Sequence, residues 1–310
     1  MDFSQLISQS YQITRKNKVL WIFGIIGMFF GSGPQFFNFP SSLNYNFSES
    51  DSMPEDLRMP DFGFLTYIKA EDWLLIIMLV VFVLSAVILL FVYLQMWAYA
   101  ALVSQTLNVV KGKKVSFKEG KEMGEKFFWR VLGFRVLLGL MIIPAIILLA
   151  VPPLLFFVAG VEMLAIVFLV ISTVIFIFGV FAYAVVSGIV SEFGLREMIE
   201  NDFGIIDSMK RGMRMFRGNL GSSILIFLVN TALGFAIAIP FVFVSLVLFL
   251  MGFVFFAINP WLIVIPILIF VTFLVVAGGI WNVFIFSYWS LAYNQLKRGG
   301  RTNSVTSTTA

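Results

Sequence analysis

The chain contains no histidine and no cysteine among its 310 residues. Zinc and haem sites commonly use imidazole or thiolate ligands, Ser-His-Asp triads need histidine, and thiol enzymes need a cysteine nucleophile. Composition therefore excludes these sites from the chain. Carboxylate chemistry stays open, but we predict a protein that is not an enzyme and that holds no metal ion and no cofactor.

Charged residues are also scarce. They make up 12% of the chain, hydrophobic residues make up 60%, and the mean hydropathy is +0.98. These values lie far outside the range of water-soluble domains. A helix of roughly 20 apolar residues crosses a hydrocarbon core of about 30 Å, and several unbroken runs reach that length. The sequence therefore predicts an all-α polytopic integral membrane protein, a bundle of transmembrane helices.

The apolar runs predict six spans within a single membrane domain, residues 1–296. The spans cover about 19–37, 73–103, 131–160, 163–190, 221–256 and 261–292. Basic residues before a short apolar run also describe a secretory signal peptide. A retained helix is favoured for the first span, because its amphipathic lead-in recurs later and no Ala-x-Ala site follows it.

Two segments are not hydrophobic. Residues 39–72 are rich in Asn, Ser, Pro and carboxylates, and are expected to form an acidic extracytoplasmic loop. Clustered carboxylates can bind calcium, but their spacing matches no EF-hand loop, which favours a solvated loop. Residues 297–310 are rich in Ser and Thr, and are expected to form a disordered cytoplasmic tail.

The positions of the basic residues predict the orientation. Every Lys and Arg except Arg58 and Lys69 falls before the first span, between spans two and three, near the inner end of the third span, between spans four and five, or in the tail. Short loops rich in Lys and Arg stay on the cytoplasmic side. We therefore predict that both termini are cytoplasmic.

Residues 201–217 have the pattern of an amphipathic helix. Its apolar side is expected to carry Ile206, Met209, Met213 and Phe216, and its basic side Lys210, Arg211, Arg214 and Arg217. Lys118 and Lys121 belong to a similar segment before the third span. Such helices can lie in a membrane surface and contact anionic lipid or a partner. The alternative is a helix that simply connects two spans.

Two ionisable residues are candidates for an intramembrane polar site, Arg135 and Glu192. Arg135 lies just over one turn beyond Arg130, so its guanidinium can reach back to the headgroups or find a partner. Glu192 lies at the inner end of the fourth span and is expected to pair with a neighbouring Arg. The alternatives are a substrate or ion site and a proton relay.

Three segments share one pattern: a basic lead-in, an outward span, and a returning span with a Tyr near its inner end. The lead-ins start at Tyr11, Met123 and Met209, and the returning ends start at Trp97, Phe181 and Phe286. The pattern predicts three direct repeats of two spans each.

The stretch from Ser191 to Leu220 closes a span with Glu192 and continues as IIDSMKRGMRMFRGN into the next. It resembles the membrane domain found beside some bacterial glycerophosphoryl diester phosphodiesterases and in stand-alone six-span proteins. The resemblance implies a six-span helical bundle in a bacterial cytoplasmic (inner) membrane. It transfers no catalytic residue, because the chemistry of the fused enzymes belongs to a soluble, histidine-containing barrel that this chain lacks.

Together these features predict a non-catalytic membrane protein. Its basic cytoplasmic helices would bind anionic inner-leaflet lipid or a cytoplasmic protein, and no nucleic acid. The alternative is a permease for a lipid-like or apolar solute. An intramembrane enzyme acting on lipid is a third hypothesis, which requires two carboxylates facing one cavity. Glu162 and Glu192 are expected at opposite membrane faces, so they do not meet that requirement.

Overall fold

The computed structural model describes residues 2–29 and 70–306, and these ranges are helical apart from short turns. This confirms the predicted all-α class. Residues 30–69 lie outside the described residues, and with them nearly all of the predicted acidic loop. The helices are α1 (Phe3–Lys16), α2 (Val19–Phe29), α3 (Ala70–Val110), α4 (Phe117–Leu140), α5 (Ile143–Val158), α6 (Glu162–Asn201), α7 (Ile205–Gly218), α8 (Leu220–Ile258) and α9 (Val264–Thr306).

Within the described residues, five helical segments are long and apolar enough to cross a membrane: Leu75–Val110, Phe117–Val158, Glu162–Asn201, Leu220–Ile258 and Trp261–Arg298. The chain is thus a multi-pass helical membrane protein. Of the first predicted span the structure describes α2, which has 11 residues and a length of about 16 Å at 1.5 Å per residue. The rest of that predicted span lies outside the described residues, so six spans stay a prediction.

The long helices exceed the thickness of a bilayer. α8 alone has 39 residues and a length of about 58 Å. Large apolar side chains are exposed along one half of these helices, whereas most of the buried core lies in the other half. We call the second half the packed end; it includes the α3–α4 turn, the α6–α7 turn and α1. On α3 the exposed half runs between Trp73 and Tyr93, a separation of about 30 Å that matches a hydrocarbon core.

α2 packs against α9 at the packed end through glycine. A Cβ on Gly279 would lie 2.8 Å from both the backbone nitrogen and the Cα of Ile25. The side-chain nitrogen of Asn282 donates to the carbonyl of Gly24 at 3.5 Å. Small residues allow helix backbones to approach this closely within a membrane bundle. The ring of Phe23 also stacks on Phe117, with centroids 5.2 Å apart, so α2 contacts both α9 and α4.

The third predicted span, residues 131–160, is interrupted. α4 ends at Leu140 and α5 begins at Ile143. The break follows from Pro144, which has no N–H to donate to the carbonyl of Leu140 and whose ring would clash with that carbonyl. The hydroxyl of Tyr183 on α6 donates to the carbonyl of Leu138, so this backbone carbonyl near the break has a hydrogen-bond partner.

α9 continues to Thr306. The structure therefore extends a helix into residues 297–310, the segment for which disorder is predicted. Lys297 is fixed on its neighbour α6, since its ammonium lies 2.8 Å from a carboxylate oxygen of Glu200. This contact between distant parts of the chain extends helical order beyond the apolar run, and local composition does not reveal it.

Candidate functional site at the packed end

A buried arginine lies at the centre of the packed end. The side chain of Arg196 on α6 is fully buried, with an exposed fraction of 0%. Its Nη1 donates to Oε2 of Glu192 at 2.5 Å and to the carbonyl of the same residue at 2.8 Å. Its Nε donates to Oγ of Ser290 at 3.1 Å and its Nη2 to the carbonyl of Phe286 at 3.1 Å. A buried guanidinium requires such partners, because an uncompensated buried charge is strongly unfavourable.

The same network extends to α3 and α4. The hydroxyl of Tyr99 donates to Oε1 of Glu192 at 2.9 Å. The guanidinium carbon of Arg135 lies 4.0 Å from the centroid of the Tyr99 ring, within the range of a cation–π contact. The hydroxyls of Thr106 and Ser290 are 2.9 Å apart. We call this set the Arg196 network; it joins α3, α4, α6 and α9.

The structure brings together both of the intramembrane polar residues that the sequence singles out. Glu192 and Arg135 lie on either side of Tyr99, the first bonded to its hydroxyl and the second over its ring. Sequence reasoning missed Arg196, although it follows Glu192 by one helical turn on the same helix. That spacing places the two side chains next to each other, so it could have identified Arg196 as the partner of Glu192.

A second cluster joins the ends of α3 and α6 to α9. One carboxylate oxygen of Glu200 lies 3.0 Å from the ammonium of Lys111, and the other lies 2.8 Å from that of Lys297. The hydroxyl of Tyr293 is 2.8 Å from Oε1 of Glu197 and 2.5 Å from Oε2 of Glu200. A hydroxyl has one proton, so it donates to one carboxylate at a time. These contacts hold the ends of α3 and α6 in register with α9.

A third contact fixes the turn between α6 and α7. Asp202 has a left-handed backbone, with φ at 56°, a conformation that Asp tolerates better than most residues. Its carboxylate is 2.8 Å from the ammonium of Lys126 and also pairs with Arg130, both on α4. Hydrogen bonds from Lys126 and then Arg130 hold the pKa of Asp202 below its usual value.

We expect Asp202→Asn to lower the thermal unfolding midpoint modestly at neutral pH, because Asn keeps the left-handed backbone but loses both ion pairs. A lowered folded-state pKa stabilises the fold above the unfolded value of 3.8, and this stabilisation is lost as pH falls through the lower folded value. The difference between the variant and the natural protein should therefore shrink on acidification below that pH, and also in high salt. Equal midpoints at neutral pH and low salt would contradict this role of Asp202.

α7 is seated on α6 by small residues. Ser208, Gly212 and Phe216 are its buried positions. A Cβ on Gly212 would lie 2.8 Å from both the backbone nitrogen of Gly194 and the carbonyl oxygen of Val190. Of the residues on the predicted apolar side, Ile206 does not pack against α6, since its side chain is 60% exposed. The close approach at Gly212 and Ser208 fixes which side of α7 faces α6, and this turns Ile206 outward.

The basic side of α7 faces away from the bundle. Lys210, Arg211, Arg214 and Arg217 are exposed, and no carboxylate among the described residues forms an ion pair with them. The guanidinium carbon of Arg211 lies 3.8 Å from the ring centroid of Phe203. Lys118 and Lys121 lie on α4 rather than on this surface, and the second is 3.8 Å from Glu125. We call the four cations of α7 the basic face.

Comparison with known proteins places most of the chain in one family. A family model described as a family of unknown function, DUF7544, matches residues 16–294. No curated protein and no solved structure matches the chain. The family description makes no reference to glycerophosphoryl diester phosphodiesterases, so the resemblance to their membrane domain stays a prediction.

Proposed function

We propose a function for this chain, which belongs to the family of unknown function DUF7544: it is a non-catalytic membrane protein that binds anionic lipid headgroups through the basic face of α7. The observation that carries the proposal is a rigidly seated helix with a free cationic side. Gly212 fixes one side of α7 against α6, while the four cations opposite are exposed and unpaired within the described residues.

The level of α7 supports this assignment. Trp129 on α4 is 75% exposed and precedes Arg130, a pair of residue types that favours the membrane interface. Asp202 at the start of α7 pairs with Arg130. The basic face therefore lies near the headgroup layer, where each Lys or Arg contributes about 1 kcal/mol of attraction to anionic lipid.

We further propose that this layer is the cytoplasmic one and that the bundle contains three two-helix repeats. The distribution of Lys and Arg supports the orientation. Two returning helices support the repeat. Tyr183 on α6 donates to a carbonyl of α4, and Tyr288 on α9 donates to the carbonyl of Ile226 on α8 at 3.1 Å. In both cases the acceptor belongs to the outward span of the same repeat.

A permease has less support than lipid binding. Transport of a charged solute would use unpaired ionisable groups inside the bundle, but Glu192, Arg196 and Glu197 at the packed end already bond with other side chains. Transport of an apolar solute stays an alternative without an observation that favours it. A cytoplasmic protein that binds the same basic face stays the second alternative.

The test removes the basic face. We expect the Gln variant of Lys210, Arg211, Arg214 and Arg217 to lose at least about tenfold in its preference for phosphatidylglycerol over phosphatidylcholine, since about 1 kcal/mol is lost per cation. Native mass spectrometry of the full chain, titrated with lipids of identical acyl chains, measures that preference. Raising the ionic strength should reduce it in the natural protein but not in the variant.

The matched control removes the same charge elsewhere, as Gln variants of Lys113, Lys114, Lys118 and Lys121. All four are exposed and lie in the α3–α4 turn or at the start of α4. A smaller loss in this control would support a specific role for α7. Equal losses would show a general effect of net charge, and an unchanged preference in the α7 variant would overturn the proposal.

A further inference from the structure

A groove runs between α4 and the start of α7, with a volume of about 520 Å³. Ligand-sized pockets fall between about 300 and 1,000 Å³. Apolar side chains and glycine make up its lining apart from one carboxylate. The lining residues are Gly133, Val136, Leu137, Leu140, Gly204, Ile205, Ile206 and Asp207.

The position of the groove indicates which molecules reach it. Val136 and Leu140 are each 51% exposed on the outer surface of α4. This surface continues into the exposed half of the helices. The groove begins at Gly133, about one turn after Trp129 at the interface. It therefore leads from the headgroup level towards the hydrocarbon core. An elongated apolar chain attached to a polar head fits this gradient.

Two opposite charges lie on α7 beside the groove. Asp207 is exposed, forms no ion pair with the part of the chain that the structure describes, and lines the groove. Lys210 is exposed and follows Asp207 by three residues, a spacing that makes the two neighbours on the helix surface. A purely anionic head would be attracted by Lys210 and repelled by Asp207. A head that carries both a phosphate and a primary ammonium can pair with both.

We propose that this groove binds one aminophospholipid molecule, such as phosphatidylethanolamine. An acyl chain lies along α4, the phosphate pairs with Lys210, and the ammonium pairs with Asp207. The inference rests on the proposed function in one respect, the placement of α7 at the headgroup level. It shares Lys210 with the basic face, but it differs in ligand, in its use of Asp207 and in the apolar channel along α4.

The headgroup part is tested with Asp207→Asn in the full chain, delipidated in detergent. Native mass spectrometry measures the binding of phosphatidylethanolamine and phosphatidylcholine with identical acyl chains. We expect the natural protein to prefer the first lipid and Asp207→Asn to lose about tenfold in that preference, because a charge-assisted hydrogen bond is removed. Asp207→Glu keeps the carboxylate and should retain the preference. An unchanged preference in Asp207→Asn would overturn the proposal.

The groove part is tested with Val136→Trp, whose indole fills the apolar channel. We expect it to lose the single bound phosphatidylethanolamine, whereas Val87→Trp, on the lipid-facing surface of α3, should keep it. Retention of that lipid by Val136→Trp would overturn the proposal. Binding of phosphatidylglycerol is measured on the same samples, and its persistence shows that Val136→Trp is folded.

The two proposals fail in different ways. Val136→Trp and Asp207→Asn leave all four cations of α7 in place, so a loss of phosphatidylethanolamine with normal phosphatidylglycerol preference isolates the groove. The natural protein could show no preference for phosphatidylglycerol while Asp207→Asn still lowers the preference for phosphatidylethanolamine over phosphatidylcholine. In that case the proposed function fails, and the proposal of an aminophospholipid site in the groove is supported.

Discussion

Replacement of Arg196 by Ala is expected to destabilise the protein by about 3–5 kcal/mol, the range measured when one partner of a buried ion pair is removed. The loss has two parts. Glu192 would lose the guanidinium that now lies 2.5 Å from its carboxylate. The hydroxyl of Ser290 and the carbonyl of Phe286 would lose a donor inside the bundle. The effect is measured as the thermal unfolding midpoint in detergent, and unfolding is monitored as the loss of monodisperse protein.

Arg214→Ala is the matched control, since it removes the same side chain from an exposed position on α7. Its midpoint should stay close to that of the natural protein. A double variant, Glu192→Gln with Arg196→Met, should regain part of the lost stability, because both charges leave together and no uncompensated ion stays buried. If Arg196→Ala and Arg214→Ala unfold at the same temperature, Arg196 does not hold the four helices together.

The sequence indicates the neighbour of Arg196 on its own helix but not its burial. The spacing of Glu192 and Arg196 indicates that they are neighbours on one helix. Burial of the pair depends on Ser290 and Phe286 from α9 and on Tyr99 from α3. A single sequence does not show which distant segments contact each other. From the sequence alone, Arg196 therefore belongs only to the basic residues that indicate orientation.

For α7 the sequence predicts the polar side better than the apolar side. The four cations are exposed, as the periodic pattern indicates. The opposite side is built around Ser208 and Gly212 rather than around Ile206. Hydrophobic periodicity weighs large apolar side chains and gives little weight to glycine, whereas helix contacts in membrane bundles often centre on small residues.

Hydropathy also predicts the apolar runs better than the helices made from them. It identifies the segments that become the long helices, which supports the multi-pass architecture. It does not show that Pro144 separates α4 from α5. Helix ends are fixed by backbone hydrogen bonds and by steric clashes at Pro, and a mean hydropathy over a window contains neither.

Gly212→Ala is expected to destabilise the docking of α7, whereas Gly218→Ala in the same helix is not. An added Cβ at Gly212 meets backbone atoms of α6 at 2.8 Å, and one at Gly218 meets nothing within 4 Å. Overpacking against backbone costs about 1–3 kcal/mol. Helix propensity alone favours Ala over Gly by up to about 1 kcal/mol, so the two substitutions should have opposite signs. Thermal unfolding midpoints measure both.

Limited trypsin digestion adds a local measurement, because the four cations of α7 are cleavage sites. Gly212→Ala should be cut faster within α7 than Gly218→Ala, since α7 opens more often when its seat on α6 is strained. Equal rates would contradict the docking contact.

Lipid preference then shows whether anionic lipid binding depends on the packing of α7 against α6. If Gly212→Ala keeps its preference for phosphatidylglycerol, the four charges suffice; if it loses that preference, anionic lipid binding requires α7 to be held rigidly at the headgroup level.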